Sequence, residues 1–340
     1  MKFKKLVALS TVAVLSASML VGCGNKSSQG NNNKTLKIGM VADTGGINDE
    51  SFNQSAWEGL QQAQKDLGVE IKVIESKQAS EYVSNIDSLV DEGMDLVIGV
   101  GFTMKDAIQE EAKNYPDQQF AIIDETYDSI PKNVTPILFK ENEATFLTGL
   151  IAGRMTKTNQ VGFIGGMENP IIGRFEYGFK YGVKTANSAA DVKTQYAGTF
   201  SDAAKGKSIA NQMYGNNMDI ILSAAGATGL GAIESAKENN KYAIGVDKDQ
   251  SSLAPNNVLT SALKKVNVGV YDVVKELVNG NLQGGQAKVY GLKEDGVGIP
   301  ESTKNLVPQE VLDYVNEMKE KVKNGDIKVP ATESEYNKSI

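Results

Sequence analysis

Beyond residue 35, short apolar runs alternate with longer stretches whose apolar residues recur every three or four positions. That is the pattern of parallel α/β layers. The run LKIGMVA at 36–42 predicts a strand that ends in a Gly-rich turn. Phe52, Ala56, Leu60, Ala63 and Leu67 then fall on one face of a helix over 51–67. Strands follow at 71–75, 95–100 and 119–124, with helices over 80–92 and 105–114 and an extended piece at 133–139. The cycle then restarts. Helices over 144–155, 174–187, 203–214 and 229–239 alternate with strands at 160–165, 192–197, 218–223 and 242–246. The chain thus reads as two consecutive β/α sets of roughly a hundred residues each, an ordinary domain size. A strand at 258–264 and a helix over 268–278 are expected to rejoin the first set, and a last helix is expected over 308–323. The predicted lobes are 36–139 plus about 259–300, and 140–258 plus about 301–330, in the size range of ordinary domains.

The start of the chain differs from this pattern. Lys2, Lys4 and Lys5 precede an apolar and small-residue run at 6–21, too short for a membrane-spanning helix of ~20 residues. A basic start, a short apolar middle and small residues before a break describe an export signal over 1–22. Leu20-Val21-Gly22-Cys23 resembles the lipobox of bacterial lipoproteins, in which a diacylglycerol is attached to the Cys thiol and cleavage leaves that Cys first. The resemblance implies lipid attachment at Cys23. Residues 24–35 contain no apolar side chain and read as a flexible tether. The expected product is a lipid-anchored domain on the extracytoplasmic face of the cell membrane.

Composition narrows the chemistry. The chain has 340 residues, 41% of them hydrophobic and 23% charged, which suits two globular domains and excludes wholesale disorder. Thirty-five basic residues against 42 acidic ones give a net charge of −7, a poor basis for binding a phosphate backbone or an anionic surface. There is no histidine and one cysteine. That excludes the Ser-His-Asp triad, His-ligated metals, imidazole bases, internal disulfides and Cys-rich clusters. No catalytic residue, metal ligand or cofactor site is predicted.

In open parallel sheets, ligands bind beyond the carboxyl ends of the strands, so the chemistry is expected in residues just after each strand. Asp43 ends the first strand and opens DTGGINDESFN, where Asp49 or Ser51 can cap the coming helix. Phe52 begins that helix, where a ring covers a ligand as readily as a core. Gly101-Phe102 follows the third strand. Asp124 closes the fourth, as a ligand acceptor or as a cap. In the second set Gly198-Thr199-Phe200 follows a strand, Asp247 ends another, and Arg174 and Phe175 open a helix; Phe175 reads as helix packing. A ring exposed on a strand-end loop asks for something to stack on, and Phe200 is the candidate.

A ligand clamped between Phe52 and Phe200 with carboxylates at its edges is flat and rich in donors. Asp247 can accept two hydrogen bonds from a vicinal diol, and Asp43 or Asp124 can accept from ring N–H groups. A nucleoside fits this description; a phosphorylated ligand is repelled. GATGLG at 226–231 has the look of a dinucleotide fingerprint, but its spacing is not G-x-G-x-x-G. It reads instead as a turn at Gly226 that brings helix backbone close to a ligand. Either Lys264 or Lys265 can reach ribose oxygens, unless both are simply solvated.

DTGGINDESFNQSAWEGL at 43–60, NYPDQQFAIID at 114–124 and GVDKDQ at 245–250 resemble the basic membrane protein family. These are lipoprotein substrate-binding components of ABC importers that include purine-nucleoside receptors. The resemblance runs from about residue 36 to about residue 330, nearly all of a chain of this size. It implies a type I periplasmic-binding-protein fold: two Rossmann-like parallel-sheet domains, three crossings between them, a ligand cleft and no catalysis. It further implies that Phe52 and Phe200 sandwich a nucleoside base, with Asp43, Asn53 and Asp124 beside that base and Asp247 and Lys264 on the ribose. The expected partners are a nucleoside, an ABC permease and the membrane; the protein is expected to be a monomer that binds no nucleic acid. A nucleoside-processing enzyme built on the same cleft and a sensor that signals to a membrane partner are the alternatives.

Overall fold

The computed structural model describes residues 35–340, so the readings of the export signal, Cys23 and the tether up to residue 34 lie outside the described residues. The first half of the chain forms β1 (Lys37–Ala42), α1 (Phe52–Leu67), β2 (Glu70–Glu75), α2 (Tyr82–Asp91), β3 (Leu96–Val100), α3 (Lys105–Asn114), β4 (Gln119–Ile123) and β5 (Val134–Phe139). The second half forms α4 (Glu141–Met155), β6 (Gln160–Gly165), α5 (Pro170–Ala186), β7 (Asp191–Tyr196), α6 (Ala203–Gly215), β8 (Ile220–Ala224), α7 (Ala227–Glu238), β9 (Tyr242–Asp247) and β10 (Val258–Lys264). After these come α8 (Val266–Val278), β11 (Lys288–Tyr290), β12 (Val297–Gly298), α9 (Gln309–Asn324) and α10 (Glu333–Ser339). None of the described helices is long and apolar enough to cross a membrane.

These strands make two sheets, ordered β11-β5-β4-β3-β1-β2 and β12-β10-β9-β8-β6-β7. All pairings are parallel except β12 against β10. Burial follows the order. The central strands β3 and β8 are buried throughout and read as apolar runs, interrupted in β8 by Ser223, because helices cover both faces. The edge strands β2 and β7 are half-exposed and carry Lys72 and Lys193, charges that suit an unpaired edge. In each sheet the winding reverses beside the first strand, between β1 and β3 and between β6 and β8. A crevice opens beyond the carboxyl ends of the strands at such a reversal. This is the two-lobed α/β fold that the strand pattern and the resemblance imply.

One expected placement is corrected. The strand at 258–264 does not rejoin the first set; β10 pairs with β9 and β12 in the second sheet. Its backbone is almost wholly buried and needs partners on both sides. The first sheet has no place for it, because β11 already occupies the open side of β5. The return to the first lobe is made one element later by α8, whose Asn267 N–H bonds to the Ser55 hydroxyl of α1 at 3.2 Å. The stretch up to 300, also expected in the first lobe, divides as well: β11 joins the first sheet and β12 the second.

The chain therefore passes between the sheets three times: after β5, after β10, and between β11 and β12. The crossings run side by side. The Lys140 N–H donates to the Tyr290 carbonyl at 2.9 Å, and the Lys265 N–H to the Gly296 carbonyl at 2.8 Å. Below them α4 and α5 pack at backbone contact, since a Cβ on Gly182 would stand 2.2 Å from the Phe146 carbonyl oxygen. Along the same seam Glu141, at the start of α4, meets Arg174 of α5.

Candidate functional site

The loop after β1 builds the first wall. The Asp43 Oδ1 accepts the Gly45 N–H at 2.8 Å and the Asn53 side-chain amide at 2.8 Å, and the Asn53 Oδ1 accepts the Asp43 N–H at 3.1 Å. Asp49 takes up the orphan amides at the start of α1, accepting the N–H groups of Ser51, Asn53 and Gln54 at 2.9–3.0 Å. Of the two caps the sequence allows, Asp49 is the one used. Ser51 makes no side-chain cap bond; its hydroxyl donates to Asp247 of the other lobe.

The second wall is mostly apolar. Ile171, Ile172 and Phe175 reach the cavity from the first turns of α5, which Asn169 caps by accepting the Ile171 and Ile172 N–H groups, with Pro170 next in line. The Phe200 ring lies against Gly166, where a Cβ would come within 2.2 Å of it. Gly226 opens α7 with φ +54 beside the Phe200 carbonyl. A side chain is excluded there by backbone conformation and by space. The last glycine of GATGLG does something else: a Cβ on Gly231 would stand 1.8 Å from the Ala203 carbonyl oxygen, so it lets α6 and α7 touch.

Between the walls lies a charged cluster. Lys264, only 2% exposed, pairs with Asp124 and with Glu141 at 3.1 Å. Glu141 is fully buried and also accepts from Arg174 Nε at 2.6 Å. The Lys264 ammonium lies 4.8 Å from the centroid of the Phe52 ring, 5.4 Å from that of Phe139 and 5.6 Å from that of Phe175, within cation–π range. Burial works against every charge here. It lowers the proton affinity of Lys264, but Asp124, Glu141 and Asp247 more than reverse this and hold the ammonium. Burial would raise Glu141, yet Lys264 and Arg174 keep it below the usual carboxylate range. Among the described residues, no cation is bonded to Asp247. Burial pushes it up to about 7, against the pull of Lys264 and the Ser51 hydroxyl. Asp124 is pushed up to about 6, burial again outweighing Lys264. Three acids against two cations leave one negative charge in excess, and the excess appears as proton affinity on the aspartates.

All of Asp43, Phe52, Asn53, Asp124, Phe200, Gly226, Asp247 and Lys264 line one cavity. The two lysines separate: Lys264 faces the cavity, while Lys265 pairs with Asp295 at 2.6 Å. Asp124, expected near the base, pairs with Lys264; one of its oxygens is buried without a partner among the described residues. Three rings or residues of the site were not among the sequence candidates. Phe102 lines the cavity and meets Phe200 edge-on at 6.4 Å from the opposite lobe. It followed a strand end just as Phe200 did, so the same signal applied. Phe175 was read as helix packing and is also cavity wall. Glu141 had been placed before the fourth helix rather than in it. The cavity as a whole can stack a flat group, accept several hydrogen bonds and offer one ammonium.

A family model described as ABC transporter substrate-binding protein, PnrA-like, matches residues 36–333. A CD4+ T-cell-stimulating antigen of Listeria innocua is 40% identical over 96% of this chain and 99% of its own. A protein of Lactococcus lactis named ABC transporter nucleoside-binding protein BmpA is 39% identical over 96% of this chain and 99% of its own. A solved ABC transporter solute-binding protein of Aeropyrum pernix superimposes with a TM-score of 0.82 at 27% identity, over 89% of this chain and 96% of its own. The match spans both sheets and every residue of the cavity, and the chain belongs to the Bmp family of PnrA-like ABC transporter substrate-binding proteins.

Proposed function

We propose that this protein captures a purine nucleoside by closing its two lobes on it and presents it to an ABC permease, held at the extracytoplasmic face of the membrane by a lipid on Cys23. The observation that carries the reading is the cavity's composition: Phe52 and Phe200 come from opposite lobes, with four aspartates and one lysine around them. The rings stack the base. Asp43, steadied by Asn53, keeps an oxygen facing Gly101 and Phe52 and accepts a ring N–H. Asp247 and Lys264, with Asp124 beside them, take the ribose hydroxyls. A phosphate is rejected because the acids outnumber the one cavity cation, and charge repulsion is a strong device of selectivity. The name of the Lactococcus relative, a nucleoside-binding protein, supports the ligand class.

Calorimetry with inosine, guanosine and adenosine tests this. Phe52→Ala and Asp247→Ala should each weaken binding at least about tenfold, the loss of one stacking face or of a charge-assisted hydrogen-bond pair. Wild-type affinity in both variants would sink the site assignment. Chromatography of the same mixtures should recover the nucleoside intact; released base would make the protein an enzyme.

A further inference from the structure

Glu141 does not reach the cavity, yet its carboxylate is fully buried. Arg174 alone could satisfy it, through Nε at 2.6 Å and a second guanidinium nitrogen at 3.4 Å. Its other oxygen nevertheless lies 3.1 Å from Lys264 Nζ. The placement of the partners explains why this matters. Lys264 ends β10, Glu141 begins α4 and Arg174 lies on α5, all in the second lobe. Asp124, the other partner of Lys264, follows β4 in the first lobe. When the lobes part, Asp124 leaves with the first lobe and Glu141 stays. A lysine on a flexible four-carbon stem, left without Glu141, would keep only the longer-range pull of Asp247 in the open receptor.

We infer that Glu141 is the positioning residue of this site: backed by Arg174, it holds the Lys264 ammonium at the cavity wall before the ligand and Asp124 arrive. The inference rests on the reading of Lys264 as a ligand contact. In the closed form the ammonium donates to Asp124 and is paired with Glu141 at 3.1 Å, which leaves it a donor for the ligand. Anchoring in the open form means that this donor need not be ordered at the moment of capture, which raises affinity by lowering the cost of binding. The charged and titratable groups around Lys264 are Asp124 after β4, Glu141 on α4 and Asp247 after β9, with Arg174 behind Glu141.

The test is Glu141→Gln, which keeps the shape and an acceptor oxygen but removes the charge. Inosine affinity by calorimetry should fall about tenfold at pH 7.5, since the ion pair that holds the ammonium is replaced by a contact with an uncharged amide. The pH profile separates positioning from mere packing. With adenosine, which has no acidic ring N–H, wild-type affinity should stay flat from about pH 8 to about pH 9.5, below the range where an ordinary lysine titrates. In Glu141→Gln, it should fall as pH rises through a lowered Lys264 titration. A variant with an unchanged pH profile and less than about threefold loss of affinity overturns the inference. A second measurement needs no ligand. The lysine ammonium ¹⁵N signal of the ligand-free protein, assigned by its absence in Lys264→Met, should titrate at lower pH in Glu141→Gln than in the wild type. If it does and inosine does not bind, the ligand reading fails while the role of Glu141 stands. Equal titration in both proteins ends the inference whatever inosine does.

Discussion

Two lysines of the second lobe reach acids of the first, in very different surroundings. Lys264 meets Asp124 with both side chains almost fully buried, at 2% and 7% exposure. Lys248 meets Glu58 at 2.7 Å and Glu50 at 3.9 Å, and those partners are 41% and 49% exposed. Beside Lys248, the Gln250 side-chain amide donates to the Glu50 carbonyl at 2.9 Å and Ser51 donates to Asp247. Removing a buried charge from its partner is costly because the other charge is stranded away from water. At the surface water replaces the partner and salt screens what remains. On the proposed function, Lys264 is therefore fitted to fix what the cavity binds, and Lys248 to trim how firmly the lobes stay shut.

The largest effect that separates the two is loss of the buried lysine. Lys264→Met leaves Asp124 and Glu141 without it, although Arg174 still serves Glu141. The expected loss of stability is about 3 kcal/mol, at the lower end for breaking a buried pair, and urea unfolding at pH 7.5 measures it. Asp124 limits the damage by taking a proton. Nucleoside binding should fall below detection in the same variant. A loss under about 1 kcal/mol, the level of an exposed pair, would erase the distinction between the lysines.

Acidity gives the next largest effect. In the free protein burial holds Asp247 up at about 7, with Asp49 and Asp124 adding to it and Lys264 and Ser51 opposing. A carboxylate that accepts hydroxyls from a diol must be ionised in the complex, so binding releases the proton that Asp247 carries below pH 7. Affinity should then be constant above about pH 8 and fall as pH drops through 7, losing about tenfold between pH 7 and 5.5, because one proton is linked. Asp124, at about 6, steepens the lower end. Asp247→Asn should bind more weakly with a flatter profile. A flat profile in the wild type would remove the Asp247 carboxylate from the ligand.

How much of this was legible in sequence depends on how local each signal was. Asp43 and Asp247 end buried strands, and the switch-point geometry of parallel sheets carries such residues to the cleft. Phe200 stood out for the same reason, as Phe102 should have. Lys264 and Lys265 could not be told apart. Adjacent residues at a strand end face opposite ways, and which way is inward depends on the sheet the strand joins. That placement was read wrongly, because β10 is held by β9 and β12 across the fold. Glu141 was missed because the fourth helix was begun at 144 while it starts at Glu141. The helix is buried nearly all round, so its periodicity is weak at the start. For α5, expected from 174, Asn169-Pro170 was an available start signal. Partners of buried charges, such as Arg174 for Glu141, are tertiary facts and leave no mark on either helix alone.

The exposed lysine offers the smallest effect and the finest test of the comparison. Lys248→Ala removes the Glu58 and Glu50 contacts but leaves the Gln250 and Ser51 bonds and every side chain of the cavity wall in place. Equilibrium stability should change by less than about 1 kcal/mol, as for other exposed pairs. On the proposed closure these contacts form only when the lobes meet, so the loss should be felt in ligand escape rather than entry. Stopped-flow displacement of bound inosine should show dissociation about threefold faster, since most changes at an interface act on the off-rate. Salt makes the assignment specific. Raising ionic strength from 0.05 to about 0.5 M shortens the Debye length to a few ångströms, so wild-type release should accelerate toward the rate of the variant, while the variant barely responds. If both proteins respond to salt alike, Lys248 does not hold the lobes, and their closure depends on the buried cluster and the ligand alone.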